Sequence, residues 1–311
     1  MVDIVISEFM DEGAVDALRG VGAVEYNPTL VDRPEDLAGL VKDARALIVR
    51  NRTQVREELL GAAPRLQCVG RLGVGLDNID VDACKHRGIA VYPATGANDL
   101  SVAEYVMTSA MALMRGAYLS NAEMIAGKWP RQKLSGRETA GKTMGLIGFG
   151  SIAREVAWRA QAYGMQIVAH DPYVDAADPV WQAARNLSLD GVLETADVVS
   201  LHVPLTDTTR HMINADRLQS MRQGSILINA ARGGVVDETA LAASLKDGHL
   251  GGAALDVFES EPLTAEAAAK FAGIPTLILT PHIAGVTVES NKRVSYMIAE
   301  LVKTHLEKSD G

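Results

Sequence analysis

Three short stretches of this 311-residue chain each place a reactive polar side chain just beyond an apolar run. They are ILINAARGGVVDE with Arg232, AALDVFESEP with Asp256, Glu259 and Glu261, and LTPHIAG with His282. An arginine can grip a planar carboxylate through two parallel hydrogen bonds. A histidine is the side chain whose ordinary titration lies near neutral pH. A glutamate bonded to that histidine favours its charged form and fixes its ring. Together, as Arg232, Glu261 and His282, these groups suit a reaction at the carbon bearing an acid's hydroxyl. Hydride moves at carbon while a proton moves at oxygen. His202, in SLHVPLT, also closes an apolar run, but the sequence offers it no partner.

Hydride transfer needs a carrier, and TMGLIGFGSIAREVAWRAQAYGMQIVAHDPY, from Thr143 to Tyr173, has the form of a carrier site. Gly148 allows a tight strand-to-helix turn, and Gly150 lets the backbone come close to a pyrophosphate. The helix that follows opens with N–H groups that favour an anion. Ala153 stands where a third glycine is commoner and adds one methyl group. Asp171 ends the next strand, where it can accept both ribose hydroxyls of an adenosine and repel a 2′-phosphate. NAD is therefore expected rather than NADP.

Positioning such groups requires strands whose carboxyl ends meet. Ten short apolar runs, from DIVIS to LILTP, alternate with segments of helical spacing such as TQVREELLGAA. That alternation predicts parallel sheets covered on both faces. Ten strands are too many for one doubly wound unit, so two α/β units are expected. NDLSVAEYVMTSAMALMRGAYLSNAEMIAGKW reads as one long buried helix, with Asn98, Asp99 or Ser101 available to cap it. VESNKRVSYMIAELVKTHLEK reads as an amphipathic helix that packs back on the N-terminal unit.

Composition narrows the partners. The net charge of −9 argues against a nucleic-acid backbone or an anionic membrane. No apolar run approaches the ~20 residues of a membrane helix, and the N-terminus lacks a basic leader region, so a cytoplasmic protein is expected. Cys68 and Cys84 have no metal-ligand spacing, and no metal is expected.

Taken together, GRLGVGLDNIDVDACKHRGIAVYPATGANDLSVAEY, GLIGFGSIA, HVPLT, INAARGGVVDE, ALDVFESEP and LTPHIAG resemble the D-2-hydroxyacid dehydrogenase family. LIVRNRTQV and GKWPRQKLSGRE are most similar to its 3-phosphoglycerate dehydrogenase members. The resemblance implies a flavodoxin-like substrate domain, residues 1–97 completed by 284–311, into which a Rossmann NAD domain, 98–283, is inserted. It implies a catalytic cleft between them and a homodimer built on the NAD domain. It places the catalytic arginine, glutamate and histidine at Arg232, Glu261 and His282. Cofactor contacts are implied at Val74, Ser151, Ile152, Asp171, Val203, Pro204, Ala230, Ala231, Arg232, Asp256, His282, Ala284 and Gly285. Substrate contacts are implied at Arg50, Arg71, Gly73, Val74, Gly75, Asn98 and Arg232. The chain ends soon after its closing helix, so the C-terminal regulatory domain of many phosphoglycerate dehydrogenases is not expected.

The substrate class follows from charge. Arg50, Arg52, Arg71, Arg131 and Lys133 are more cations than one carboxylate needs. A 2-hydroxy or 2-keto acid with a second anion on C3, a phosphate or a sulfonate, is expected. A hydroxypyruvate or glyoxylate reductase would need only the glycine loop and Arg232. An NAD-sensing corepressor would share the fold without turnover, and Glu261 speaks against the related formate dehydrogenases, which carry glutamine there.

Overall fold

In the computed structural model, which describes residues 2–309, the chain divides into two units. Residues 1, 310 and 311 of the expected domain limits lie outside the described residues. One unit comprises Met1–Asn98 with Val286–Gly311, and the other Asp99–Gly285.

The first unit is built on β1 (Ile4–Ile6), β2 (Val24–Tyr26), β3 (Ala46–Val49), β4 (Cys68–Arg71) and β5 (Ala90–Pro93). They pair in parallel in the order β2-β1-β3-β4-β5, the flavodoxin-like order. Side chains of a strand alternate between faces, and the core divides accordingly. Ile4, Ile6 and Ile48 join Ile298 and Val302 of the closing helix Val288–Ser309 in one cluster. Val5, Leu47, Val49 and Val69 pack on the opposite face.

The second unit contains β6 (Thr143–Ile147), β7 (Gln166–His170), β8 (Arg185–Asn186), β9 (Val198–Leu201), β10 (Ile226–Asn229), β11 (Gly252–Leu255) and β12 (Leu277–Leu279). Their order is β12-β11-β10-β9-β6-β7-β8, again with parallel pairing. Counted from β6, this is the Rossmann order with one further strand, and it reverses direction between β6 and β9. Leu146, Ile228 and Ala254 face the helices Asp99–Arg115 and Ser151–Ala162, while Ile147, Leu227 and Leu255 face the other layer.

Two sequence expectations change. The described residues form twelve strands rather than ten. The additions, β2 and β8, carry Glu25 and the exposed Arg185–Asn186, and as sheet edges they need no apolar run. The long helix stops at Arg115, because Gly116 turns left-handed at φ 62°. A 3₁₀ turn and the short helix Asn121–Ile125 follow. Uniform apolar content concealed a break that one glycine makes.

His202 sits immediately after β9, and its backbone N–H donates to Ile147 O at 2.7 Å. Part of the residue reaches the surface, but Nε2 is buried without a hydrogen-bond partner among the described residues. Burial pushes the imidazole down from 6.5 to about 4, so the folded protein keeps it neutral. Between those values the unfolded chain binds more protons than the folded one. The stabilising difference is complete above 6.5 and is lost as pH falls toward 4. It amounts to about 2 kcal/mol between about pH 7.5 and about pH 5. His202→Asn should therefore lose less stability than the parent over that interval in urea denaturation. Equal losses would refute the assignment.

Candidate active site

The glycine turn is shaped for close approach. Gly148 has φ 85°, and a side chain there would meet His202 O at 2.5 Å. Gly150 faces open space within 4 Å of a built Cβ and precedes the helix Ser151–Ala162 without any side-chain cap. The N–H groups of its first turn thus have room for an anion beside them. Ala153 is fully buried in the helix–sheet core, where its methyl group packs. Asp171 follows β7, and its two oxygens accept from Phe149 N at 2.8 Å and Tyr173 N at 2.9 Å. These bonds fix the carboxylate against the glycine turn and leave it lone pairs for ribose hydroxyls. The residues present therefore fit a dinucleotide.

The candidate reacting groups sit beyond neighbouring strands of the same sheet. Val203 and Pro204 follow β9. Ala230, Ala231 and Arg232 follow β10, Asp256 follows β11, and His282, Ala284 and Gly285 follow β12. Asn229, buried at the end of β10, bridges its own turn: it donates to Arg232 O at 2.9 Å and accepts from Ala231 N at 3.1 Å. Arg232 Nη1 donates to Ala231 O at 2.6 Å.

Glu261 Oε2 lies 2.7 Å from His282 Nδ1, and Glu261 Oε1 accepts from Phe258 N at 3.0 Å. Burial raises the Glu261 carboxyl's pKa. The bond to His282, the His282 charge, the Phe258 N–H and the Arg232 charge outweigh burial and hold it below its ordinary value. An ionised carboxylate only accepts, so Nδ1 carries the shared hydrogen and Nε2 is the nitrogen left for exchange. The His282 and Glu261 side chains are 41% and 34% exposed, so a small ligand can reach the ring.

His282 adopts φ 55°, an uncommon conformation for a residue with a side chain. Asp256 holds it there. His282 N donates to Asp256 O at 2.8 Å, and the buried Asp256 carboxylate accepts from Thr280 Oγ1 (2.6 Å), Ile283 N (2.8 Å) and Ala284 N (2.7 Å). Tyr105 OH lies 2.7 Å from the same threonine hydroxyl. Sequence reading singled out Asp256 as a cofactor contact. In the structure its carboxylate oxygens bind the loop that carries the histidine.

The remaining candidates fall in the first unit. Arg50 follows β3 and Arg71 ends β4, with Gly73, Val74 and Gly75 in the next turn. Arg50 Nη2 donates to Asn291 Oδ1 at 2.8 Å, and its guanidinium lies 5.9 Å from the centre of the Phe9 ring. Buried Glu8 accepts the backbone N–H groups of Arg50 (2.9 Å), Thr53 (2.9 Å) and Arg52 (3.2 Å), which fixes the loop. Burial lowers the Arg50 pKa, and the Glu8 charge opposes that. Arg71 Nη1 donates to Leu72 O at 3.1 Å. Asn98 Oδ1 is buried without a hydrogen-bond partner among the described residues. Arg52 pairs with Asp32, and Lys133 with Glu123 at 3.0 Å.

Sequence reasoning missed the supporting layer: Glu8, Asn229, Thr280, Asn291, Glu238 and Lys270. None of them stands out by type or spacing in the sequence, and only the partner across space reveals its role. Among the described residues, no group of three or more His, Cys, Asp or Glu side chains could hold a metal ion.

Residues 107–284 match the family described as D-isomer specific 2-hydroxyacid dehydrogenase, NAD binding domain. A protein named (S)-sulfolactate dehydrogenase, from Chromohalobacter salexigens, is 58% identical over 307 residues, covering 98% of this chain and 99% of that one. The D-3-phosphoglycerate dehydrogenase of Methanocaldococcus jannaschii is 38% identical, over 97% of this chain and 57% of its own length. Among solved structures, a D-lactate dehydrogenase from Aquifex aeolicus, complexed with NAD and lactic acid, superposes with a TM-score of 0.85. It is 30% identical, over 98% of this chain and 96% of that one. The chain belongs to the D-isomer specific 2-hydroxyacid dehydrogenase family and is an NAD-dependent oxidoreductase of that family.

Proposed function

We propose that this enzyme interconverts sulfolactate and sulfopyruvate, with Arg232, Glu261 and His282 as its catalytic residues. The observation that carries the chemistry is the 2.7 Å bond between Glu261 and His282 Nδ1, in a sheet whose first turn fits a dinucleotide. Gly148, Gly150, Ser151, Ile152 and Asp171 hold the adenosine and diphosphate end. Val203, Pro204, Ala230, Ala231, Ala284 and Gly285 line the strand ends toward the nicotinamide, and in the first unit Val74 is a further proposed cofactor contact. NAD supplies the hydride acceptor or donor.

The chain's own residues do the rest. Arg232 holds the carboxylate beside the reacting carbon, and in the first unit the backbone of Gly73 to Gly75 and Asn98 are the proposed substrate contacts. In oxidation, the hydroxyl proton passes to His282 Nε2 as C2 gives up hydride and the carbonyl forms. In reduction, Nε2 returns that proton to the carbonyl oxygen. Glu261 keeps the other nitrogen protonated throughout, which fixes the tautomer and offsets the positive charge on the ring.

The substrate assignment rests on the whole-length relation to the sulfolactate enzyme and on two arginines positioned by the first unit. A sulfonate keeps its negative charge throughout the neutral range, and a guanidinium meets two of its oxygens at once. The stereochemistry agrees as well. In lactate the carboxylate outranks the methyl group, whereas in sulfolactate the sulfur-bearing carbon outranks the carboxylate. The spatial arrangement called D, or R, in lactate is therefore called S in sulfolactate.

We also propose a cytoplasmic homodimer. Tyr118, Ile125 and Trp129 are 71%, 88% and 77% exposed within twelve residues of one another, an apolar surface suited to a second copy. Cys68 and Cys84 are free and buried, which fits a reducing compartment.

NADH oxidation should favour sulfopyruvate over phosphohydroxypyruvate, hydroxypyruvate and glyoxylate by at least about tenfold in kcat/KM, and equal weak rates would overturn the substrate assignment. His282→Ala should lower kcat by about 10²–10⁴-fold with NADH affinity retained. Arg50→Ala and Arg71→Ala should each raise KM for sulfopyruvate by about tenfold or more and leave glyoxylate reduction nearly unchanged. Sedimentation should give twice the 33.1 kDa chain mass, with Trp129→Glu shifting it toward one.

A further inference from the structure

Asp256 holds the reacting pair through the histidine loop. A second set of bonds holds it through the glutamate loop and takes no part in the chemistry above. Glu238 lies six residues after Arg232 and opens the helix Glu238–Lys246, and Glu259 lies two residues before Glu261. Glu238 N donates to Glu259 Oε1 at 3.2 Å, and Glu259 N donates to Glu238 Oε1 at 2.7 Å. Each carboxylate thus takes the other residue's backbone hydrogen, which ties the arginine loop to the glutamate loop.

Two carboxylates so close need a cation and further hydrogen-bond donors beside them, the more so because Glu238 is only 3% exposed. Lys270 Nζ lies 2.8 Å from Glu238 Oε2 and 3.8 Å from Glu259 Oε2, and His211 Nε2 lies 3.1 Å from Glu259 Oε1. Between this clasp and the reacting groups there is no slack. A Cβ on Gly233, the residue after Arg232, would fall 1.7 Å from Phe258 O. The N–H of that same Phe258 holds Glu261. The backbone beside Arg232 therefore rests directly on the residue that positions the glutamate.

We propose that Glu238 and Glu259 are positioning residues that set the spacing of Arg232 from the Glu261–His282 pair. They thereby fix where the substrate carboxylate sits relative to the nitrogen that exchanges the proton. The proposal rests on the roles given to Arg232, Glu261 and His282 above.

The test compares Glu238→Ala, Glu238→Asp, Glu238→Gln, Glu259→Ala and the double alanine variant. It measures kcat and KM for the keto acid and Kd for NADH by fluorescence, all well below each Tm. Glutamine keeps an oxygen that can accept from Glu259 N. Aspartate keeps the charge opposite Lys270 but is one methylene too short. Expected for Glu238→Asp and the alanine variants is a rise in KM of about five- to twentyfold, with NADH Kd within about twofold. Glu238→Gln should stay within about threefold of the parent. The double variant should be no worse than the worse single one, because both changes undo the same clasp. A merely structural loss would lower the active fraction, and with it the apparent kcat, at constant KM. Unchanged KM in Glu238→Asp and in whichever alanine variants fold overturns the proposal. Full activity in His282→Ala would instead overturn the reading of the site, whatever the Glu238 series shows.

Discussion

One hydrogen bond, from His282 Nδ1 to Glu261, joins two loops that leave neighbouring strands of a parallel sheet, β11 and β12. Its 2.7 Å length is not a property of the two side chains alone. Both are partly exposed, and a histidine–glutamate pair in water contributes little and wanders. What holds it is the backbone on either side: Asp256 gathers the amides after His282, and Phe258 N fixes the other oxygen of Glu261. Rigid strands place the loops, buried carboxylates cross-link them, and the reactive atoms inherit that order.

Buried carboxylates recur in this role. Glu8 collects three backbone N–H groups beside Arg50, Asp256 collects two beside His282, and Asp197 accepts from Thr143 N at the start of β6. A loop that leaves a parallel strand has backbone donors with no ladder partner, and burying them unpaired is costly. A carboxylate satisfies two or three at once through charge-assisted bonds. The loop gains a fixed shape without regular secondary structure, as a site made of loop residues requires.

This division explains what could be read in the sequence. Parallel strands buried on both faces leave continuous apolar runs, so ten of the twelve were legible, while β2 and β8, at the edges, left none. The glycine turn, Asp171, Arg232, Glu261 and His282 could be named as candidates because each is a residue type with a specific chemical use at the end of such a run. Glu238, Asn229 and Asn291 were not. Their meaning lies in a partner 21, 3 and 241 residues away, and spacing in one chain does not encode it. The break at Gly116 was visible as a residue but not as an event, since glycine permits a left-handed turn without requiring one.

Shared architecture also explains why the fold alone leaves the substrate open. The lactate enzyme superposes on this chain at 30% identity, and the phosphoglycerate enzyme is 38% identical across nearly all of it. Lactate has no second anion and the substrate proposed above has one, so on that proposal the distinction lies in residues that the hydride chemistry does not need. Arg50 meets that condition. Glu8 fixes its backbone, Asn291 binds its guanidinium, and Phe9 lies beside it. A mobile arginine on the surface would lose side-chain freedom on gripping an anion, and that loss would offset much of the contact. An arginine already held by an amide oxygen and a neighbouring ring has met most of that cost in folding. In the function proposed above, discrimination between a monoanionic and a dianionic acid rests on how firmly the first unit presents this cation as well as on its charge.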